Sequence, residues 1–324
     1  MKRALLFMAA LFGLLTAPAP ARAEVTLRFV IWDGDEYVRA QEPAIRDFEK
    51  AHPGIKVKLE SVTNNYMTRL LAQYAASVAP DVVMMDPFSF HKFARRGALL
   101  PLNDFMEKTP GFDIKKYYPS LVDALSAGGK HYVLPKDIAP QGIVFYNKKL
   151  FDEAGIPYPD GTWTWDFEER PELKEKDFLW VMHQLTKKDE RGRTTQYGYA
   201  VGWTNLFVET VAFSLGAKYV DDYKEPHKTF FDDPRFVRGF DFLLELTKEK
   251  KWVPGEIELN TVLQTGALKL FTEGKVAMYQ TGAWEIVPMR RDIKPGAPGF
   301  FEWDVALFPA YKNGQLVTPT GGSG

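Results

Sequence analysis

Three short apolar strands separated by helical stretches open the chain, and this alternation limits the available folds more than any other feature. "TLRFVIW" (Thr26 to Trp32) reads as a buried strand, "IKVKLESV" alternates apolar and polar residues as a half-buried strand does, and "PDVVMMD" is the third. Between them, Ile45, Phe48 and Glu49 fall at helical spacing in the stretch Glu42 to Ala51 before "HPG" breaks it. Tyr66, Leu70, Leu71, Tyr74 and Ala75 then share one helical face, and "SFHKFARRGALLPL" is a helix ending at Gly97. Strands joined through helices in βαβα order form a parallel sheet, and ligands of such sheets bind at the carboxyl ends of the strands. The expected class is therefore α/β.

A second region begins after "GGKHYVLPKD". "GIVFYN" is a strand, and Lys148 to Ala154 form a short helix stopped by "GIPYPDG". Asp166 to Asp177 is dense in charge and reads as a solvated surface excursion, after which "FLWVMHQLTKK" resumes a helix. "DDPRFVRGFDFLLELTKEK" offers Asp233 as N-cap and Pro234 in the first turn, with Phe236, Phe240, Leu243 and Leu244 on one face. In "LFTEGKVAMYQTGAW", Gly274 ends a helix and Val276 to Tyr279 form a strand that stops at Gly282 and Ala283. Small residues there let backbone or ligand come close. Trp284 is then either a core side chain or the wall of an open site.

The first 23 residues carry Lys2 and Arg3, an apolar run from Ala4 to Leu15, and Ala21-Arg22-Ala23 at a cleavage point, the pattern of a secretory signal peptide. Removing them takes away three positive charges and shifts the net charge from -1 to -4, which argues against nucleic acid as a partner. The chain has no cysteine, so disulfides, thiol chemistry and lipid attachment at a cleavage-site cysteine are all excluded. A freely diffusing periplasmic protein, cleaved after Ala23, is expected. A mature chain of about 300 residues exceeds the usual size of one core, so two domains are expected.

No catalytic, metal or cofactor constellation emerges. His52, His91, His131, His183 and His227 are scattered without an i, i+4 pair, and the chain has no nucleophile elbow and no phosphate-binding or dinucleotide glycine loop. Tyr117-Tyr118 could suggest ferric-ion ligation but sits beside Pro119, ahead of an amphipathic helix. What remains is a set of strand ends bearing aromatic and acidic residues: "IWDGDEY" (with Trp32), "MMDPFSF", "LPKDIAP", "GWTN" and "TGAW". Aromatic faces stack on sugar rings, and carboxylates accept paired hydrogen bonds from neighbouring hydroxyls. A neutral polyol fits this inventory better than an anion, which would call for clustered Arg or Lys.

"PDVVMMD", "VFYNKKLFDEAGIPYPDGTWTWD", "TQYGYAVGW", "LFTEGKVAMYQTGAW" and "WDVALFP" with the closing "GGSG", in this order, resemble the bacterial extracellular solute-binding proteins of carbohydrate ABC importers, the maltose- and multiple-sugar-binding group. The resemblance runs over residues 24 to 324. It implies a two-domain periplasmic-binding-protein fold whose strand ends face each other across a hinged, interdomain ligand cleft. We divide the chain accordingly into a first lobe at 24–135, a second at 136–317, and the start of a crossover back to the first lobe at 318–324. By resemblance, Trp284 and Gly282 match the stacking G-x-W element, and Asp33, Asp35 and Glu36 match the acidic residues after the first strand. Asp86 follows the third strand, Asp137 lies at the first hinge, and Trp203 and Asn205 match a cleft loop of the second lobe; Pro135, Gly321 and Gly322 are hinge positions. Met85 stands where some members carry an aromatic. Members of the family continue past the "GGxG" element, so the sequence reads as C-terminally truncated. The implied function is non-enzymatic: a monomer that captures a sugar or oligosaccharide and delivers it to membrane permease subunits. A secreted glycoside hydrolase, or a receptor for a polyol, glycerophosphodiester or other small solute, are the alternatives.

Overall fold

The computed structural model describes residues 24–222, 227–312, 314 and 316–324; the signal segment lies outside them. Contacts divide the chain into two compact units, one ending at Met85 and one running from Asp86 to Gly324.

The smaller unit contains β1 (Val25–Ile31), α1 (Asp35–Ala51), β2 (Ile55–Ser61), α2 (Tyr66–Ala75) and β3 (Val82–Val83). Its sheet has the order β2-β1-β3 and is parallel throughout, with Val25 opposite Ile55 and Phe29 opposite Val82. The parallel ladder follows from the helical crossovers, as the βαβα pattern predicts. Only Val82 and Val83 of the third apolar run pair as strand; Met84 and Met85 turn into the core, where they are buried. α1 begins earlier than its hydrophobic spacing suggests and buries none of its residues fully. Glu49 nevertheless ties it to β2, accepting hydrogen bonds from the Val57 amide at 2.8 Å and the Lys56 ammonium at 3.2 Å. Arg28 of β1 reaches across to Glu60 of β2 with two contacts of 3.1 Å.

The larger unit opens with α3 (Phe90–Arg95), α4 (Asn103–Lys108), α5 (Pro119–Ala124), a small hairpin of β4 (Ser126–Ala127) and β5 (Lys130–His131), and β6 (Asp137–Pro140). There follow β7 (Ile143–Asn147), α6 (Lys148–Ala154), β8 (Thr164–Trp165), α7 (Phe178–Gln184), β9 (Lys187–Lys188), β10 (Thr194–Val201), α8 (Thr204–Ser214) and α9 (Pro234–Leu244). The unit closes with α10 (Ala267–Thr272), β11 (Val276–Thr281), α11 (Ile286–Asp292), β12 (Trp303–Ala306), β13 (Ala310–Tyr311) and β14 (Thr320–Ser323). Its main sheet runs β12-β7-β11-β10-β9 and is mixed: β10 and β11 are parallel, the other pairs antiparallel. Both faces are covered. Val144 and Tyr146 enter one apolar cluster with residues of α7, α8 and α9, while Ile143 and Phe145 enter another with residues of α10 and α11. Every position of β7 and β11 is accordingly buried, as in strands packed on two sides.

Two features depart from the sequence reading. The charged excursion at 166–177 is anchored: Asp177 is fully buried, caps α7 by accepting from the Trp180 amide at 2.8 Å, and takes Arg170 at 2.7 Å. On α9, Phe236, Phe242 and Leu243 are buried but Phe240 and Leu244 are exposed, because Gly239 lets α8 come close at Val208 and so sets the packed stripe. The C-terminal strand β14 is tied to residues up to 136: the Lys136 amide donates to the Ser323 carbonyl at 2.7 Å, and the Leu121 side chain packs on Gly322.

Candidate functional site

In the larger unit, neighbouring parallel strands end side by side, with Val201 of β10 opposite Gln280 of β11. The residues that follow each strand therefore emerge together. Gly202 and Trp203 lead into α8, and Gly282 leads into a 3-10 turn at Ala283–Glu285. The Trp203 and Trp284 rings lie 5.5 Å apart at 36°, forming a bent aromatic surface, and Trp203 is 56% exposed. Such a pairing supplies flat apolar faces at the edge of a polar sheet end, suited to the C–H face of a ring that carries hydroxyls.

Gly282 has no positive φ; its importance is space. A Cβ there would lie 2.0 Å from Cζ3 of Trp284, so the indole rests directly on the glycine. A buried polar chain holds the two carriers of the aromatic pair together. The Tyr199 hydroxyl donates to Gln280 Oε1 at 2.6 Å, Gln280 Nε2 donates to Thr210 Oγ1 at 3.1 Å, and Thr210 donates to the Leu206 carbonyl at 2.7 Å. The Gly202 amide donates to the Gln280 carbonyl at 2.8 Å. Burial pushes the Glu285 carboxyl above its ordinary range, with Arg291 opposing, and burial together with Glu285 pushes the Tyr279 hydroxyl up. Asn205 is exposed in the first turn of α8 and donates to Glu209 at 3.3 Å.

The smaller unit holds the remaining strand-end cluster. Trp32 is half-buried and meets Tyr66 edge-on at 5.2 Å, while the Tyr66 hydroxyl sits 2.9 Å from both the Val30 and Met84 carbonyls. The Asp33 carbonyl accepts from the Ser61 hydroxyl at 2.6 Å. Asp35 and Glu36 stand in the first turn of α1, where the helix dipole favours negative charge. At the start of the larger unit, Asp86 accepts from the Ser89 amide at 2.7 Å and orders the approach to α3. Asp137 gives both oxygens to Ser323, at 2.9 Å from its amide and 2.6 Å from its hydroxyl, and so fastens β6 to β14. Pro135 is buried just before β6. Gly321 and Gly322 lie in β14, where a Cβ would strike Gln141 and the Asp137 carbonyl respectively. Among the described residues, no cluster of His, Asp and Glu could hold a metal ion, and no helix is long and apolar enough to cross a membrane.

With this geometry in place, the family follows from comparison with known proteins. The model of the bacterial extracellular solute-binding proteins matches residues 33–324. The chain belongs to that family. Relatives among the extracellular solute-binding proteins include the mannitol-binding protein of Pseudomonas aeruginosa, 24% identical over 274 residues, covering 82% of this chain and 56% of the relative. The multiple sugar-binding protein of Streptococcus mutans is 24% identical over 298 residues, covering 85% and 60%. The chain thus spans little more than half the length of these relatives. Among solved structures, an ABC substrate-binding protein from Listeria monocytogenes in complex with cycloalternan matches 93% of this chain and 70% of its own with a TM-score of 0.76 at 25% identity. A solute-binding protein from Thermotoga lettingae bound with α-D-tagatose matches 92% and 71% with a TM-score of 0.71 at 22% identity, a likeness of fold. The expected α/β solute-binding fold is therefore the fold of this chain, and its family is one of binding proteins.

Tyr66 and Gln280 act as supports that the sequence reading did not single out as such. For Gln280 the signal was present: it is the lone amide at the end of the run "VAMYQ", a position that demands a buried partner.

Proposed function

We propose that this protein is the substrate-binding component of a carbohydrate ABC importer, capturing a sugar or oligosaccharide and delivering it to membrane permease subunits without chemical change. The observation that carries the reading is the Trp203–Trp284 surface, 5.5 Å between rings, at adjacent strand ends in a member of the solute-binding family. The names of the relatives, with mannitol and multiple sugars as ligands, support a neutral hydroxylated solute. In this reading the protein works as a periplasmic monomer; Trp203, Asn205, Gly282 and Trp284 of the larger unit take part in recognition, and so do Asp86 and, from the smaller unit, Trp32, Asp33, Asp35 and Glu36. Asp137, Pro135, Gly321 and Gly322 form the hinge, where β6 and β14 pair, and the lobe boundary falls at 135/136. Ligand binding shifts the population towards a conformer that the permease recognises. Calorimetric titration with a sugar panel, followed by chromatography of the same mixtures, tests this. Saturable heat with the sugar recovered intact is expected. Shortened product without saturable binding would replace the receptor with a glycoside hydrolase.

A further inference from the structure

The 3-10 turn that carries Trp284 ends on a carboxylate. Glu285 follows the ring directly, its amide donates to the Gly282 carbonyl at 3.2 Å, and α11 begins at the next residue. Ring and carboxyl are therefore held on one closed turn. That turn packs against α11 and against β6, and Ala283 and Ile286, on either side of the pair, rest on the apolar cluster of α10 and α11. Trp284 and Glu285 are both half-buried, whereas Tyr279, Thr281 and Gly282 before them are buried. The carboxyl thus stands at the border between water and an apolar wall.

The charged and titratable groups of the neighbouring elements are largely engaged elsewhere. From α11, Arg291 opposes the effect of burial on Glu285, but its guanidinium is bonded twice to Asp292, at 2.7 and 3.0 Å, and Arg290 is exposed. Lys269 and Lys294 act on Asp292. From β11 comes Tyr279, whose hydroxyl is kept protonated by burial and by Glu285 itself. β6 brings Asp137, fastened to Ser323 and approached by Lys136 at 3.5 Å, and α8, met through Trp203, brings Glu209, which accepts from Asn205. Burial outweighs Arg291, so the carboxyl already sits above its ordinary range. A sugar ring stacked on Trp284 displaces water from the open side of the same turn. Loss of water penalises the carboxylate far more than the neutral acid, so the ligand adds to what burial has begun.

We propose that Glu285 links sugar binding to the uptake of one proton, so that the receptor holds its ligand more tightly as the medium acidifies. This rests on the reading of the protein as a sugar receptor that uses Trp284. The sign follows from linkage: the bound form keeps the proton to a higher pH than the free form. Affinity is therefore lowest where both forms are ionised, rises as pH falls through the bound-state value, and levels off below the free-state value; the window lies above the ordinary 4.5. The test is calorimetry of the protein with D-mannitol, glucose and maltose across that window, in phosphate and in Tris, whose heats of ionisation differ. For a sugar that binds, affinity is expected to rise by about tenfold from about pH 8 to about pH 5, the ratio for a one-unit difference between free and bound forms. Within the window the binding heat is expected to depend on the buffer in the sense of proton uptake. Glu285→Gln, permanently neutral, is expected to remove both effects and to bind at pH 8 within about twofold of the wild type at pH 5. Wild-type protein alone can overturn the proposal: affinity that is flat or rises with pH, or heat independent of buffer, does so even if the variant folds poorly. A wild-type slope kept by Glu285→Gln overturns it as well, by assigning the proton to another group. Each of these leaves the receptor reading standing, whereas no binding of any of the three sugars at any pH overturns that reading and the linkage with it.

Discussion

Gly282 carries no side chain, and the Trp284 indole occupies the space where one would begin, 2.0 Å from an ideal Cβ. The pair therefore acts as a unit: the glycine sets the height of the ring, and the ring meets Trp203. If the ring is a ligand platform, Trp284→Ala removes stacking area while β11 and the 3-10 turn remain. Loss of an aromatic anchor commonly costs about 2 kcal/mol of binding, roughly thirtyfold in affinity. A tryptophan serving only the core would instead cost about 3–5 kcal/mol of stability. The expected result is a sugar affinity reduced by about thirtyfold with a nearly unchanged unfolding midpoint; a large fall in midpoint with intact affinity would return Trp284 to the core. Gly282→Ala must push the same ring aside, so it is expected to weaken sugar binding by at least about tenfold. Because both changes act through one ring, the double variant should be no weaker than Trp284→Ala alone. Additive losses in calorimetry would show that Gly282 acts by another route.

Two elements, β10 with α8 and β11 with its 3-10 turn, place the aromatic pair, and Gln280 is the tie between them. Gln280→Leu leaves the buried Tyr199 hydroxyl without its acceptor, a loss of about 1–3 kcal/mol. Because the same amide anchors Thr210 of α8, sugar affinity is expected to fall along with the unfolding midpoint; a lowered midpoint with unaltered affinity would separate the tie from the site. In the smaller unit, the hydrogen bond from Arg28, reinforced by Lys58, holds the Glu60 carboxyl down to about 2 from an ordinary 4.5. A folded-state value below the unfolded one stabilises fully above the ordinary range and is lost as pH falls through that window. The midpoint gap between the wild type and Glu60→Gln should therefore close between pH 4.5 and 2. A gap as wide near pH 2 as at neutral pH would point to packing rather than charge. Elements such as β1, β2, α6 and β11 were legible because their periodicity is set by local burial, and Trp284 because glycine and tryptophan stand together. The packed stripe of α9 was not, since it depends on α8 approaching Gly239. Nor was the buried Asp177, which reads as surface until Arg170 and the Trp180 amide are brought to it.

On the scale of the whole molecule, the family is one of extracellular solute-binding proteins, so a route of export belongs to the proposed function. Residues 1–23 carry the basic start, apolar run and small-residue cleavage point of a secretory signal, and cutting after Ala23 would leave Glu24 as the first residue. The structure of the smaller unit makes this cut mechanically sensible. β1 begins at Val25, whose amide donates to the Gly54 carbonyl at 2.8 Å, and Glu24 is exposed and outside the strand. A cut after Ala23 thus spares every rung of the β1–β2 ladder, whereas a cut a few residues further on would remove pairs starting with Val25 and Ile55. Losing the three cationic residues of the leader would also move the net charge from -1 to -4 and so disfavour adsorption of the released chain to an anionic membrane surface. The expected outcome in a Gram-negative host is release by osmotic shock of a chain whose intact mass corresponds to residue 24 onward. Recovery only in the membrane pellet, with Met1 retained, would show that the leader is an anchor and would oppose a freely diffusing receptor.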